Sequence, residues 1–371
     1  MELLLLKSFA EISAYVGYVL IAILVLLAMI TVHEFGHYIS GKLLGFGIEE
    51  FSIGFGPALF KKKKANGEIF SIRLLPLGGF CGFKGEDKDS EDPTAFNNRA
   101  PWKRIIVLVS GALMNYLFAL VLVIAMFGVY GQNCVYVGEV APSEITSEYS
   151  LEKGDVIFKA EGKDVFLATD LMQILDGKEA GSKADFLVRR GGVDRTVTVI
   201  LRHDTKFANL EDVQTLSLAL GSYSQTDDGQ YEKTQLYATG VKFDFFSTIG
   251  RSFKYSFKLA GTIFTVLGQL LTGKLGIGAV GGTITTIGVT ASAIQTGGVR
   301  YLLYIASFIG VNLAVFNLLP FPALDGSRVV FAVIEWIRKK PVNRKAEAII
   351  HTVGFILILI FAVIIDLQKC F

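Results

Sequence analysis

The stretch AYVGYVLIAILVLLAMITVHEFGHYI, residues 14–39, is one apolar run that ends in His33, Glu34 and His37. A hydrocarbon core about 30 Å thick needs roughly 20 apolar residues per helix, so the run reads as a membrane-spanning helix. On a helix, residues four apart share a face, so the two imidazoles lie one above the other with Glu34 a step away. His-Glu-x-x-His in that setting is a zinc pair with its general base attached. Ionisable groups at bilayer depth cost roughly 2.5 to 3.5 kcal/mol each and are kept there for a task. The stretch therefore points to metalloprotease chemistry performed inside a membrane.

The rest of the composition agrees with that setting. Of 371 residues, 51% are hydrophobic, 29 are Phe and only 19% are charged, which departs from a soluble globular domain. The net charge of +2 carries little information by itself, because the basic residues are clustered and their placement between spans is what matters. Nothing points to nucleic acid. Cys81, Cys134 and Cys370 form no CxxC and have no histidine at finger-like spacing, so neither a disulfide framework nor a structural zinc site follows. Met1-Glu2-Leu3 has no basic leader region and no small-residue cleavage site precedes the histidines, so the first span is expected to be retained.

Four stretches are long and apolar enough to span: Ala14 to Ile39, Ile105 to Tyr130, Leu302 to Leu319 and Ala348 to Asp366. The loop after the first carries Lys61 to Lys64, Arg99, Lys103 and Arg104; the loop after the third carries Arg338 to Lys340, Arg344 and Lys345. Both basic loops are expected on the cytoplasmic side, which places the zinc motif near the inner face and residues 131 to 300 outside. Within the first loop, Phe51-Ser52-Ile53 and Glu68 to Leu74 flank Asn66-Gly67, a hairpin signature. Its apolar, glycine-rich flanks leave two placements open, dipping into the membrane against the helices or lying on the cytoplasmic surface. The Lys61 to Lys64 run reads as a solvated turn that also fixes topology.

Outside, short strands alternate with turns: Val135 to Val140, the turn Ala141-Pro142-Ser143, Leu151 to Ile157, Gly162 to Val165, a short helix at Leu171 to Leu175, then Asp185 to Arg190 and Thr196 to Val199. The order resembles a single PDZ module, Cys134 to Arg202, of the kind that adds a peptide strand to a sheet edge. Residues 203 to 240 read as a connecting extension. From Phe245 to Thr272, Phe246, Phe253, Phe257 and Phe264 recur at helical steps with Arg251, Lys254 and Lys258 elsewhere, so the segment either lies on the outer surface or enters the membrane. The domain expectation is 1–130 for two spans and the hairpin, 131–203 for the PDZ-like insert, 204–300 for the extension and amphipathic helix, and 301–371 for two further spans. The fold class is a polytopic α-helical membrane protein of about four transmembrane helices, with a membrane-associated β-hairpin and an inserted extracytoplasmic PDZ-like α+β domain.

A catalytic zinc takes three protein ligands and leaves a fourth position for water. Beside His33 and His37, the best third ligand is Asp325, in Asn317-Leu318-Leu319-Pro320-Phe321-Pro322-Ala323-Leu324-Asp325-Gly326. Two prolines two residues apart open the backbone and let the short aspartate turn toward the metal. Gly326 then gives the chain freedom to resume its helix.

These two segments resemble the paired signatures of the site-2 protease family of intramembrane zinc metalloproteases. The single PDZ-like insert and the length are similar to its bacterial branch that includes the regulator-of-sigma-E protease. Ser110-Gly111-Ala112-Leu113-Met114-Asn115 and the glycine-rich hairpin extend the likeness over nearly the whole chain. The resemblance implies that His33, His37 and Asp325 bind Zn2+, that Glu34 is the general base, and that Asn317 lies near the substrate backbone. It further implies transmembrane protein substrates already shortened by another protease, such as anti-sigma factors or signal-peptide remnants. The bacterial cytoplasmic membrane is the implied location, with the PDZ-like domain as a docking site or size filter outside. One departure is Gly281-Gly282-Thr283-Ile284, where the family usually has a proline.

Blander uses of the same residues remain. Asp325 could cap a turn, Asn317 could bond across helices, and Gly111 and Asn115 could be a small-residue contact between spans. His203 and His351 stand without helical partners and read as surface or interface residues. A PDZ-containing membrane scaffold with an inactive metal site is the alternative function, and retention of Glu34 argues against it. A metal transporter lacks support, since neither repeats nor polar residues spread over several spans are found.

Overall fold

A computed structural model describes residues 9–86, 90–139, 151–207, 213–220, 235–274, 276 and 281–370. The elements run α1 (Phe9–Leu43), β1 (Ile48–Lys63), β2 (Ile69–Phe83), α2 (Pro101–Tyr130), β3 (Gln132–Glu139), β4 (Val156–Ala160), β5 (Lys163–Asp164), α3 (Ala168–Leu175), β6 (Lys183–Arg190), β7 (Val193–Ile200), α4 (Val213–Ala219), β8 (Gln235–Val241), α5 (Phe245–Leu271), α6 (Thr283–Leu318), α7 (Asp325–Arg338) and α8 (Arg344–Cys370). They divide into two compact units, one made of Met1–Ala125 with Arg251–Phe371, the other of Met126–Gly250.

In the first unit, four helices among the described residues are long and apolar enough to cross a membrane: Glu11–Leu43, Pro101–Tyr130, Thr283–Leu318 and Arg344–Gln368. Their outer faces carry Leu20, Leu24, Phe355 and Leu357, each about half exposed, as lipid-facing residues require. Inward, Met29 of α1 packs with Ala306 and Ile309 of α6, and Ala119 of α2 with Val311 and Val315. α1 stops at Gly45, whose φ of 77° suits glycine, and the N–H groups of Leu44 and Phe46 close the last turn onto Ser40 and Gly41 at 2.9 Å each. α2 starts on Pro101, where a missing N–H costs nothing.

α6 differs from the span expected at Leu302 to Leu319. It begins at Thr283 and kinks at Gly298, where φ is 58°. Its first turn is polar in sequence, and tertiary contacts stabilise it: Ile284 and Thr285 donate their N–H groups to the Asp366 carboxylate of α8 at 3.0 and 3.1 Å. A Cβ on Gly282 would lie 2.4 Å from that carboxylate, so the glycine permits the approach. α5 is not among the four long apolar helices, but Leu259, Ala260, Ile263 and Leu267 pack against α2 and α6.

β1 and β2 form the antiparallel hairpin around Lys64–Gly67. Its root is an aromatic cluster in which Phe46, Phe51, Phe83 and Phe96 pack on Val107 and Leu108 of α2. Phe60 to Lys63 pair in regular register with Ile72 to Ile69, whereas Glu50 to Ile53 pair both with Gly82 to Gly79 and with Ile69 to Ile72; Phe55, Leu59, Phe60, Leu74 and Leu75 are exposed. Glu68, buried at the turn, joins the ammonium groups of Lys42 and Lys64 at 2.8 and 2.7 Å and so ties the hairpin back to α1.

The second unit is a sheet of order β7-β6-β4-β3-β8 with β5 beside β4. Ile157, Leu171, Phe186 and Val188 lie at its core with α3 and α4 packed against it. β8 falls in the stretch read as a connecting extension and pairs antiparallel with β3 over seven residue pairs, Gln132↔Val241 to Glu139↔Gln235. The expected turn Ala141-Pro142-Ser143 lies outside the described residues.

Candidate metal centre

His33 and His37 sit one turn apart on α1, both buried, with ring centroids 4.7 Å apart. Two glycines let α1 and α2 close on each other here. A Cβ on Gly36 would lie 2.4 Å from the Ser110 carbonyl oxygen, and a Cβ on Gly111 2.5 Å from His37 Nε2 and 2.8 Å from His33 Cε1. Gly111 thus belongs to the wall of the histidine pocket as well as to the helix contact.

Asp325 arrives from the far end of the chain. α6 ends at Leu318, the segment through Pro320 and Pro322 leaves helical geometry, and α7 restarts at Asp325. The left-handed conformation in this corner falls on Ala323, with φ 76°. Gly326 is not the flexible point that its sequence context suggests. It is helical, and it is required for space, since a Cβ there would lie 2.3 Å from the Leu319 carbonyl oxygen.

The corner brings the Asp325 carboxylate 2.9 Å from His33 Nε2 and 3.2 Å from His37 Nε2, and the two Nε2 atoms are 3.1 Å apart. Tetrahedral zinc with bonds of 2.0 to 2.2 Å spaces neighbouring donors roughly 3.4 Å apart, so the three atoms fit one ion with a small expansion. Among the described residues they form a complete three-donor group of His and acid ligands. Burial works to raise the pKa of Asp325; the two imidazoles, when protonated, outweigh it by charge and hydrogen bonding and hold the carboxyl below the usual carboxylate range.

The surroundings orient these donors. His37 Nδ1 donates to the Val107 carbonyl at 2.8 Å, which leaves Nε2 with its lone pair toward Asp325 and His33. His33 Nδ1 faces the side-chain amides of Asn115 and Asn317, each at 3.4 Å. Asn115 is fully buried and its Oδ1 has no partner among the described residues. With a metal on Nε2, His33 Nδ1 carries the proton and needs an acceptor, which that amide oxygen supplies when the group is turned over. Glu34, beside the histidines, accepts the Cys81 N–H at 2.9 Å, so β2 holds the carboxylate in place. Burial and the Glu34 charge push the Cys81 thiol well above its ordinary pKa, which disfavours the thiolate. His203 belongs to the second unit, and His351 packs behind the Asp325 corner.

Sequence reasoning named the residues brought together here, and it left the Asn115 contact open. The Val107 carbonyl and the Cys81 N–H were missed because backbone groups leave no residue-type signature.

A His-His-Asp donor set with a carboxylate beside it, at the end of an apolar helix, has the donor chemistry that a catalytic zinc takes. The chain belongs to Peptidase family M50, which matches residues 21–361. It is 33% identical to a Clostridium perfringens protein over 95% of this chain and 98% of that one, and 33% identical to a Nostoc protein over 92% of each; both bear the name "putative zinc metalloprotease". The zinc metalloprotease RasP of Geobacillus kaustophilus is 26% identical over 93% of this chain and 96% of its own length. The chain is a zinc-dependent metalloprotease with four helices able to span a membrane.

Proposed function

We propose that this metalloprotease cuts peptide bonds within transmembrane segments, with His33, His37 and Asp325 as zinc ligands and Glu34 as general base. The observation that carries the reading is the meeting of three donor atoms within 2.9 to 3.2 Å, two from the end of a spanning helix and one from the first residue of α7, just after the break that follows α6. Bound zinc supplies a Lewis acid and lowers the pKa of water toward 7. Glu34 takes the proton from the attacking water and returns it to the leaving nitrogen. The Asn317 amide, 3.4 Å from His33 Nδ1, is suited to hold the substrate backbone or the developing oxyanion.

A transmembrane substrate hides its peptide bonds in helical hydrogen bonds, so cleavage requires local unwinding and replacement partners. The hairpin supports this step: its register shifts fall between Ile48 and Phe60, and around Phe55, Leu59, Leu74 and Leu75 it exposes apolar side chains beside an edge that an unwound strand can join. The second unit is read as the PDZ-like domain, docking or filtering substrates outside the cytoplasmic membrane of a bacterium, with the zinc centre near the inner face. Single-pass proteins and signal-peptide remnants are the substrate classes this arrangement suits. The chain is divided as 1–130, 131–203, 204–300 and 301–371, and β8 of the third segment joins the sheet of the second.

The test is Glu34→Gln in the full-length protein, reconstituted with a single-pass membrane substrate. Cleavage is expected to fall at least about a thousandfold while zinc is retained. Undiminished cleavage by this variant removes Glu34 from its assigned role.

A further inference from the structure

Behind the corner that delivers Asp325, α8 makes two contacts that the zinc site does not explain. Ala323 holds a left-handed conformation, φ 76°, which residues with a Cβ adopt reluctantly. Its N–H donates to His351 Nδ1 at 3.1 Å. One turn later on the same helix, Gly354 receives Pro322: a Cβ there would lie 2.2 Å from Pro322 Cβ and 3.0 Å from its carbonyl carbon. The Pro322-Ala323 corner is thus seated on one face of α8, with no space for movement toward it.

The imidazole is itself fixed. Phe331 of α7 stands edge-on to it, centroids 5.8 Å apart, and the Ser327 hydroxyl lies 3.5 Å from Nδ1 while donating to the Leu324 carbonyl at 2.8 Å. Because Nδ1 accepts, the proton resides on Nε2. Nε2 is buried, makes no hydrogen bond among the described residues, and lines a cavity of about 240 Å³ together with Glu347, Arg104, Arg328 and Thr352. The Glu347 carboxylate, 3.9 Å from Nε2, favours the proton on that nitrogen.

We propose that His351 is a positioning residue for the metal centre: by accepting the Ala323 N–H it fixes the backbone two residues before Asp325, and with it the direction in which that carboxylate meets His33 and His37. The inference rests on the reading of Asp325 as a zinc ligand. An imidazole acceptor suits the place because the Ala323 N–H lies ahead of the α7 N-cap, outside the helical ladder, and a backbone N–H within the protein needs a partner. A leucine at 351 would fill the volume and leave the corner without its acceptor.

The experiment uses full-length protein in detergent, with the zinc dissociation constant measured by chelator competition and kcat and KM measured on a transmembrane substrate. His351→Leu is expected to weaken zinc binding about 10- to 100-fold, the range seen when a group behind a metal ligand is removed, and to lower kcat with KM little changed. His351→Asn places an amide oxygen where Nδ1 stood and is expected to return zinc affinity to within about threefold of the unaltered protein. Unchanged zinc affinity in His351→Leu, or an asparagine variant as weak as the leucine one, overturns the proposal. If His351→Leu is not recovered folded, His351→Phe replaces it, since it keeps an aromatic ring and removes the acceptor: about tenfold weaker zinc supports the proposal and unchanged zinc overturns it. Asp325→Asn runs alongside; should that variant keep zinc, the ligand reading fails and takes this inference with it, whereas loss of zinc there with normal His351→Leu rejects the inference alone.

Discussion

Gly111→Ala sets two effects of opposite sign against each other. By helix propensity alone, alanine in the interior of α2 should stabilise by about 1 kcal/mol. The added methyl, however, would lie 2.5 and 2.6 Å from His37 Nε2 and Cε1 and 2.8 Å from His33 Cε1. Ordinary carbon contacts begin near 3.5 Å, so the rings must retreat by about 1 Å or the helices must part. Overpacking of this kind costs about 1 to 3 kcal/mol, and a ligand displaced by about 1 Å lowers rate about 100-fold. The net expectation is a protein near its original stability that binds zinc 10- to 100-fold more weakly and cleaves about 100-fold more slowly. Gly128→Ala on the same helix is the control, since nothing lies within 4 Å of a Cβ there, and it should be neutral or slightly stabilising. Zinc competition, cleavage rate and thermal midpoint on both variants settle the matter. If Gly111→Ala keeps full zinc affinity and activity, the packing of that glycine against the imidazoles is refuted.

Two further expectations concern the hairpin and the second unit. Burial tends to raise the Glu68 carboxyl, but hydrogen bonds from Lys42 and Lys64 prevail and bring it down to about 2. A depressed carboxyl stabilises above its unfolded pKa, so the hairpin tie is intact above about pH 4.5 and is lost as pH falls from there toward 2. With both lysines partly solvent-exposed, the contribution is discounted to roughly 1 to 2 kcal/mol. Hydrogen exchange in β1 and β2 should quicken about tenfold between pH 5 and 3 after correction for intrinsic rates, and Glu68→Gln should remove that change; a hairpin equally protected at both pH values rejects it. In the second unit, Arg190 pairs with Asp155, which is fully buried. Arg190→Leu leaves that carboxylate uncompensated and should cost about 3 kcal/mol, read as faster exchange of β4 and β6 amides; unchanged exchange shows that the pair contributes little.

How much of this was legible beforehand depends on the range of the forces involved. α1 and its histidines could be read because a spanning run and an i,i+4 pair are local patterns. Asp325 could be named because two prolines mark a break in any apolar helix. The early start of α6 could not be read, since its polar first turn is capped by Asp366 of α8, more than 80 residues away. β8 was hidden because Gln235 to Val241 has no clean alternation and becomes a strand by pairing with β3. At Gly326 the residue was singled out for the wrong reason: the constraint is the nearness of the Leu319 carbonyl, and the unusual dihedral lies at Ala323.

The central claim is that Asp325 completes a zinc site begun by His33 and His37. Metal analysis of purified full-length protein tests it directly, comparing the unaltered chain with Glu34→Gln and Asp325→Asn. The account expects about one zinc per chain in the first two and, for Asp325→Asn, an affinity at least about 100-fold weaker, as loss of one of three protein ligands demands. Zinc bound by Asp325→Asn with the affinity of the unaltered chain contradicts it.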